Sequence, residues 1–193
     1  MRPGRIVIFT RYPTEGAAKT RLIPALGPGG AAALHRRLTE RTLAVARTVR
    51  LPIELRITGA PAEAFRDWLG DVAVADQGEG DLGARLLRAA TPYPVIFIGS
   101  DLPDLAPRHL LEAEAALERT PAVIGPAEDG GYWLLGLARP IPGVFEAIPW
   151  STEGVFAATM DRLAAAEIEP ALLERLADLD RPEDLRRWPD LLA

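Results

Sequence analysis

The residues from 95 to 105, Val-Ile-Phe-Ile-Gly-Ser-Asp-Leu-Pro-Asp-Leu, place a carboxylate directly after a run of apolar residues. This pattern predicts a buried central strand that delivers Asp101 to its carboxyl end. In an open α/β sheet, ligands lie in the crevice outside the carboxyl ends of the strands, so Asp101 is a candidate contact for a metal ion or a polar ligand. The alternative is that Asp101 and Asp104 only cap the next helix, whose first turn holds Pro107. Asp104 has the better position for a cap, because Asp101 lies six residues before the proline.

A second group of candidates follows the first predicted strand. The segment from 11 to 27 contains three cations, Arg11, Lys19 and Arg21, together with Gly16 and the hydroxyl of Thr20. A loop of this length in a compact protein is usually functional or disordered. Arginine binds phosphate with a forked guanidinium and lysine with a point charge, so the segment is a candidate phosphate-binding loop. The alternative is a solvated basic loop. The pattern G-x-x-x-x-G-K-[ST] does not occur, which disfavours a kinase-like function.

Two further segments are suited to contact a second substrate. Asp129, Gly130 and Gly131 precede a predicted strand, and the two glycines can let the backbone approach a ligand, although Gly-Gly also forms simple hairpins. Ser151 and Thr152 precede a predicted helix, where one of them is expected to cap the first turn. An exposed helix start could also bind an acceptor phosphate or carboxylate.

Composition limits the classes of protein to consider. The 193 residues suit one domain, spanning 1–193, and the charged fraction of 25% is typical of a globular protein. No apolar run is long enough to cross a membrane, and the net charge of -5 disfavours a broad nucleic-acid surface. There are no cysteines, and a strand is predicted within a few residues of Met1, which leaves no room for a signal peptide. We therefore expect a cytoplasmic protein without membrane or nucleic-acid partners; its oligomeric state stays open.

The elements that must position these residues alternate between strands and helices. This alternation predicts an α/β fold with a mostly parallel sheet and helices on both faces. If the strand before Asp101 lies beside the first strand, the loops after both strands share one crevice. Strands are predicted at 5–10, 52–58, 71–75, 94–99, 122–125, 132–137 and 168–173, the fifth and sixth of them as an antiparallel pair. Helices are predicted at 30–49, 61–69, 81–90, 107–118, 153–166 and from 182 onwards.

Five motifs in order resemble a known family. They are Phe9-x-Arg11-x-Pro13-x-x-Gly16-x-x-Lys19-Thr20-Arg21-Leu22, Gly99-Ser100-Asp101-Leu102-Pro103, Gly125-Pro-Ala-x-Asp129-Gly130-Gly131-Tyr132, Trp150-Ser151-Thr152 and Asp178-x-Asp180-x-Pro182-Glu-Asp184-Leu185. Together they resemble the small bacterial family labelled glycosyltransferase A-type, within the nucleotide-diphospho-sugar transferase superfamily. Relatives by fold include molybdenum-cofactor and 2-phospholactate guanylyltransferases. The chain has Arg11 where lysine is usual, and it lacks the glycine-rich loop of typical nucleotidyltransferases.

The resemblance implies a Rossmann-like three-layer α/β/α sandwich that binds a nucleotide and a divalent metal. It implies that Asp101 and Asp180 hold Mg²⁺ or Mn²⁺, with Asp178 as a weaker candidate, and Mg²⁺ does prefer carboxylates with phosphate oxygens and water. Asp180 also suits a helix cap before Pro182. The catalytic residues are then Lys19, Arg21 and Asp101. The nucleotide or its phosphates would contact Arg11, Gly16, Lys19, Thr20, Arg21, Asp81 and Ser100, although Asp81 also suits a helix cap. The acceptor would contact Asp129, Gly130, Gly131, Ser151 and Thr152.

Three functions remain open. The first is transfer of a nucleoside monophosphate from a nucleoside triphosphate to a small phosphorylated or hydroxyl acceptor. The second is glycosyl transfer from a nucleoside-diphosphate sugar, and the third is nucleotide binding without catalysis. His35 and His109 lack a partner cysteine or histidine, so a zinc site has little support, and the four tryptophans are interpreted as core or edge packing.

Overall fold

Seven strands form one mixed sheet at the centre of the molecule. The computed structural model describes residues 4–192. In spatial order the sheet is β3-β2-β1-β4-β6-β5-β7. The strands in chain order are β1 Arg5–Arg11, β2 Ile53–Thr58, β3 Ala73–Asp76, β4 Val95–Ile98, β5 Ala122–Pro126, β6 Tyr132–Leu137 and β7 Ala171–Leu172.

The strand pairing confirms the topology expected from the sequence. β1 pairs in parallel with β2 and with β4, and Ile8 of β1 lies opposite Ile98 of β4. β6 runs antiparallel to β4 and to β5, as predicted for the hairpin that contains Asp129. β3 pairs in parallel with β2, and β7 pairs in parallel with β5. The loops after β1 and β4 therefore leave the same edge of the sheet side by side.

The central strands are apolar on both faces because helices cover both sides of the sheet. Side chains alternate between the two faces of a strand, so one strand contributes side chains to two cores. The helices are α1 Ile23–Thr48, α2 Ala62–Leu69, α3 Leu82–Ala89, α4 Pro107–Leu117 and α5 Val155–Ala165. One core contains residues of α1, α2 and α4, and the other contains residues of α3 and α5. Ile6, Ile8, Ile96 and Ile98 belong to the first core, and Val7, Val95 and Phe97 belong to the second. The predicted three-layer α/β/α sandwich is confirmed.

The loop predicted at 11–27 is shorter in the structure. A short 3-10 turn covers Thr20–Leu22, and α1 begins at Ile23, not at residue 30. The helix is interrupted at Gly27, whose φ of 70° is outside the helical region, and Pro28 follows. The glycine and proline signals that suggested a loop end therefore mark a kink within α1.

The other differences lie at capping positions and in the carboxyl-terminal region. Asp104 does not cap α4, since the cap position belongs to Ala106 and the Asp104 carboxylate accepts a hydrogen bond from the indole of Trp188 at 3.0 Å. The strand predicted at 168–173 is reduced to the two residues of β7, and the helix predicted from 182 consists of two 3-10 turns. Within residues 4–192, no helix combines the length and the hydropathy needed to cross a membrane.

Candidate active site

Buried hydroxyl groups join the carboxyl ends of β1 and β4. The Ser100 hydroxyl donates to Thr10 Oγ1 at 3.2 Å, and Thr10 Oγ1 lies 3.1 Å from Thr39 Oγ1 of α1. These contacts fix the position of the chain just before Asp101. Ser100, predicted to contact a nucleotide, is itself buried and mainly holds the two strands together.

Lys19 lies between the two predicted metal ligands. Its Nζ atom is 3.0 Å from Asp101 Oδ2 and 3.6 Å from Asp180 Oδ1, and it also donates to the carbonyl of Leu179. The lysine side chain is only 3% exposed, whereas that of Asp101 is 41% exposed. Lys19 also has a left-handed backbone conformation with φ of 49°, which is unusual for a residue other than glycine. Strained backbone of this kind is frequent at functional sites.

The charge of Lys19 keeps Asp101 ionised. Burial by itself would raise the pKa of the Asp101 carboxyl, but the neighbouring ammonium, with a smaller contribution from His35, lowers this pKa well below its usual range. His35 Nδ1 is 3.7 Å from Asp101 Oδ1, which is too long for a hydrogen bond. Both of these atoms are buried, and neither has a hydrogen-bond partner among the residues that the structure describes.

His35 was not predicted as a site residue. Its Nε2 lies 3.0 Å from the carbonyl oxygen of Arg11, which can only accept, so Nε2 carries a proton. The imidazole is therefore hydrogen-bonded to the end of β1 and lies close to the Asp101 carboxylate without a hydrogen bond to it. The neighbours of His35 in the fold, Arg11 and Asp101, come from distant parts of the chain, so its place in the site cannot be predicted from the residues beside it in the sequence.

Asp180 faces the crevice instead of capping a helix. Its Oδ2 accepts from Arg21 Nη1 at 2.5 Å. The capping role falls to Asp184, whose Oδ2 accepts from the backbone nitrogens of Asp180 at 3.0 Å and Arg181 at 2.7 Å. The cap predicted for Asp180 is therefore wrong, and its side chain is available to the site. The pKa of the nearby Asp178 is raised to about 6 by burial and by the negative charge of Asp129.

The first cavity, which we call the cationic cavity, has a volume of about 350 Å³. Its lining includes four cationic side chains, the buried imidazole of His35 and two carboxylates. The cations are Arg11, Lys19, Arg21 and Arg85, and the carboxylates are Asp101 and Asp180. Thr20 and Ser100 also line this cavity, whereas Gly16 and Asp81 do not.

The segment before α3 is held by side chains of its own helix. Asp81 caps α3, because its Oδ1 accepts from the Ala84 backbone nitrogen at 2.9 Å. Arg85 donates to the carbonyl of Gly80 at 3.0 Å, and Arg88 donates to those of Gln77 at 2.6 Å and Glu79 at 2.9 Å. Residues 78–83 also match the pattern G-x-G-x-x-G. Here the Arg88 guanidinium fills the space beside Gly78, where a Cβ would lie 2.5 Å from it, so these glycines serve local packing.

The second cavity, which we call the acidic cavity, has a volume of about 1070 Å³. It shares Arg21, Leu82 and Asp180 with the cationic cavity, so the two adjoin. Seven carboxylates and three arginines contribute to its lining. The predicted acceptor residues Asp129, Gly131, Ser151 and Thr152 all line it, together with Tyr132, Trp150, Glu153 and Asp178.

Close backbone packing shapes this cavity. Gly130 has a φ of 87°, and a Cβ at this position would lie 2.3 Å from the carbonyl oxygen of Glu153, so only glycine fits. Ser151 has a φ of 65°, and Thr152 accepts from the Gly154 backbone nitrogen at 3.2 Å. The cap position of α5 belongs to Gly154, so neither hydroxyl residue occupies it. Trp150, interpreted from the sequence as packing, also lines the cavity.

The carboxylates of the crevice fit a hard divalent cation with few protein ligands. No group of three or more metal-binding side chains occurs within the part of the chain that the structure describes. Asp101 and Asp180 nevertheless approach the same Lys19 ammonium, and Asp101 Oδ1 has no hydrogen-bond partner. Mg²⁺ is commonly bound by one or two carboxylates, with phosphate oxygens and water completing its shell. Asp101 and Asp180 are therefore the residues that would hold it.

Comparison with known proteins places the chain in a family. Residues 42–152 match the family described as "Uncharacterized protein conserved in bacteria (DUF2064)". The chain belongs to the DUF2064 family. The matched part of this DUF2064 protein contains Asp101, Asp129 and Ser151 but neither Lys19 nor Asp180. No curated protein matches the sequence.

Solved structures extend the likeness of this DUF2064 protein to the whole chain. A Desulfovibrio desulfuricans protein assigned as a nucleotide-diphospho-sugar transferase is 28% identical, with a TM-score of 0.89 over 100% of this chain and 97% of that one. CMP:2-keto-3-deoxy-manno-octonic acid synthetase complexed with CTP is 16% identical, with a TM-score of 0.59 over 98% of both chains. Rv0371c from Mycobacterium tuberculosis, in complex with manganese, is 19% identical, with a TM-score of 0.57 over 96% of this chain and 97% of that one. These similarities support the nucleotide-diphospho-sugar transferase superfamily indicated by the motifs.

Proposed function

We propose that this protein is a Mg²⁺-dependent nucleotidyltransferase, which moves a nucleoside monophosphate from a nucleoside triphosphate to a small acceptor. The observation that carries the proposal is the cluster of Asp101, Lys19, Asp180 and Arg21 at the carboxyl edge of the sheet. This cluster lies where ligands bind in open α/β sheets, and it lines a cationic cavity that adjoins a second, larger cavity.

The cations of the first cavity suit a polyphosphate. Arg21 is the most accessible of the cluster, with 61% of its side chain exposed, and it borders both cavities. Arg11 and Arg85 add charge on the same side. Lys19 is buried against the carboxylates, so its first role is to hold Asp101 and Asp180 together. Its predicted contact with phosphate stays a prediction.

In the proposed step, an acceptor oxygen forms a bond to the α-phosphorus of the nucleotide, and a hydroxyl acceptor releases its proton to water. The bond from that phosphorus to the bridging oxygen breaks, and pyrophosphate leaves with the electron pair. Arg21 and Arg11 compensate the negative charge that grows on the leaving group. Asp101 and Asp180 would hold Mg²⁺, or Mn²⁺, which supplies charge neutralisation and orientation of the phosphate oxygens. No side chain of the protein forms a covalent intermediate.

The fold likeness to the synthetase that was solved with CTP supports a triphosphate donor, and the likeness to the protein solved with manganese supports a divalent cation. Glycosyl transfer from a nucleoside-diphosphate sugar is the second candidate. The observation that favours it is the 28% identity over the full length to the protein assigned as a nucleotide-diphospho-sugar transferase. A third possibility, nucleotide binding without catalysis, is disfavoured because Asp101, Lys19, Asp180 and Arg21 form one connected charge cluster.

The leaving group distinguishes the two enzymatic candidates. The protein is incubated with Mg²⁺, a panel of acceptors and one donor at a time. The donors are the four nucleoside triphosphates and the nucleoside-diphosphate sugars of the same nucleosides. Phosphorus NMR identifies the product. Nucleotidyl transfer releases pyrophosphate, whereas glycosyl transfer releases a nucleoside diphosphate. Tight Mg²⁺-dependent binding of a diphosphate sugar, with no binding of any triphosphate, would reject the nucleotidyl proposal. The organisation as a single domain and the cytoplasmic location stay predictions from the sequence.

A further inference from the structure

We infer that the acceptor is a polyhydroxylated compound, such as a sugar or an amino sugar, that carries no phosphate or carboxylate group of its own. The inference rests on the proposed function, because it identifies the acidic cavity as the acceptor site of that reaction. It narrows the acceptor class, which the sequence left open between phosphorylated and hydroxyl compounds.

The position and size of the acidic cavity suit a second substrate. It adjoins the cationic cavity at Arg21, Leu82 and Asp180, so a ligand within it can reach a nucleotide phosphate bound in its neighbour. Its volume of about 1070 Å³ lies just above the usual range for small-molecule sites, about 300–1000 Å³. Glucose-sized compounds therefore fit without rearrangement of the backbone.

Most of the positive charge in this cavity is already neutralised by protein. Arg187 makes a two-pronged ion pair with Glu128, at 2.6 and 3.0 Å, and Arg21 is paired with Asp180. Arg181 is the remaining arginine of the lining, and its side chain forms no ion pair with any of residues 4–192. A phosphorylated acceptor would thus find one uncommitted cation.

The negative charge, in contrast, is largely uncompensated. Among residues 4–192, none of the lining carboxylates Asp129, Glu153 and Asp178 forms an ion pair. An ionised carboxylate only accepts hydrogen bonds, so it recognises hydroxyl and ammonium donors and repels phosphate and carboxylate.

The cavity also has an apolar side. Trp150 packs against Gly83 of α3, where an added Cβ would lie 2.8 Å from the indole nitrogen, and it remains partly exposed. Tyr132 and Leu82 lie in the same lining, and 40% of Leu82 is exposed. Apolar and aromatic surface beside polar groups that fix orientation is common in small-molecule sites, and in this cavity the polar groups are numerous. Sugar rings combine an apolar face with hydroxyl donors at their edge, and this combination matches the cavity.

The test compares the binding of neutral or amine-bearing polyols with that of their phosphates. The probes are glucose and glucose 6-phosphate, glucosamine and glucosamine 6-phosphate, and glycerol and glycerol 3-phosphate. Each is titrated into the full-length protein by calorimetry, with and without Mg²⁺ and a nucleoside triphosphate. At least one unphosphorylated member should bind about tenfold more tightly than its phosphate, because like charges at close range cost more than 1.4 kcal/mol.

A charge-reversal variant distinguishes the effect of charge inside the cavity from the effect of the protein's net charge. Glu153→Lys should shift the preference towards the phosphorylated member by about tenfold, whereas Glu118→Lys, at an exposed residue outside both cavities, should leave it unchanged. Tighter binding of the phosphates, equal binding within every pair, or no binding by any member would overturn the inference. The donor reaction is measured separately. If the protein releases a nucleoside diphosphate from a diphosphate sugar, nucleotidyl transfer is rejected. The inference about the acceptor is retained in that case if the unphosphorylated compound of each pair still binds more tightly.

Discussion

The cationic and the acidic cavity lie side by side, yet the pKa of an aspartate is lowered in one and raised in the other. In the cationic cavity, the Lys19 ammonium lowers the pKa of Asp101 well below its usual range, against the effect of burial. In the acidic cavity, burial and the charge of Asp129 raise the pKa of Asp178 to about 6. The groups around each aspartate, not the residue type, decide whether its pKa is raised or lowered.

This difference suggests that the two adjoining cavities bind different substrates. Arg21 and Asp180 belong to both linings and are paired with each other, so they mark the point where the two substrates would meet. On one side, cations exceed carboxylates and suit phosphate. On the other side, carboxylates without ion-pair partners suit hydroxyl or ammonium donors. Single substitutions on each side should therefore have effects that differ in kind, not only in size.

The largest effect is expected at Asp101. Asp101→Asn keeps the shape of the side chain and removes the negative charge that would bind Mg²⁺, so the Mg²⁺-dependent affinity for a nucleoside triphosphate should fall by about 100-fold. Calorimetry with and without Mg²⁺ measures this change. The matched control is Asp104→Asn, which alters a nearby carboxylate that contacts Trp188 and lies outside both cavities. Unchanged Mg²⁺-dependent affinity in the Asp101 variant would remove this residue from the metal site.

The next effect concerns Lys19, and it is an effect on stability. From the sequence alone, Lys19 and Arg21 are equivalent loop cations, whose removal should leave the melting temperature almost unchanged. The structure separates them, because Lys19 is buried between Asp101 and Asp180. Lys19→Met should lower the free energy of unfolding by about 2 kcal/mol, less than for a fully buried pair because both carboxylates are partly exposed. Urea unfolding at pH 7 measures it, and a change below about 0.5 kcal/mol would show that the buried contacts contribute little.

A smaller and more selective effect is expected at Arg21, whose side chain is mostly exposed. Arg21→Ala should weaken triphosphate binding by about tenfold and leave nucleoside binding unchanged, because a charge-assisted hydrogen bond to phosphate contributes about 1.5–3 kcal/mol. Its melting temperature should match the parent, since exposed ion pairs contribute little. Equal losses for nucleoside and triphosphate would instead indicate a collapse of the loop.

The sequence predicted the sheet and the position of Asp101 because both depend on local signals. A continuous apolar run identifies a strand buried on both faces, and the residue after it must lie at the strand end. The prediction that β4 lies beside β1 followed from the strand order that is common in α/β folds. The predictions that failed depend on the orientation of side chains or on contacts between distant segments. Asp184 caps the 3-10 turn Pro182–Arg187 in place of Asp180, and no periodicity of the chain reveals which of two nearby carboxylates turns inward.

The environment of His35 shows the same limit. Its imidazole contacts the end of β1 and faces Asp101, but only the packing of α1 against the sheet brings these groups together. The burial of Lys19 likewise depends on the segment around residue 179, which lies far away in the sequence. Residue types in the site were thus predictable from motifs, whereas their ion pairs and exposure required the tertiary structure.

The smallest expected effect, and the sharpest test of the comparison, is the pH dependence of stability in the metal-free protein. The pKa of Asp178 is raised to about 6 in the folded state, so its stabilising contribution is complete below the unfolded value near 4 and is lost as the pH rises through 6. Asp101 has a lowered pKa, so its contribution is present above pH 4 and is lost as the pH falls. At pH 7.5, Asp178→Asn should therefore raise the urea midpoint and Asp101→Asn should lower it. The difference for Asp178 should shrink as the pH falls from 7.5 to 4, whereas the difference for Asp101 should shrink only below pH 4. Shifts of the same sign for the two variants would show that the cavities do not differ electrostatically as their linings indicate.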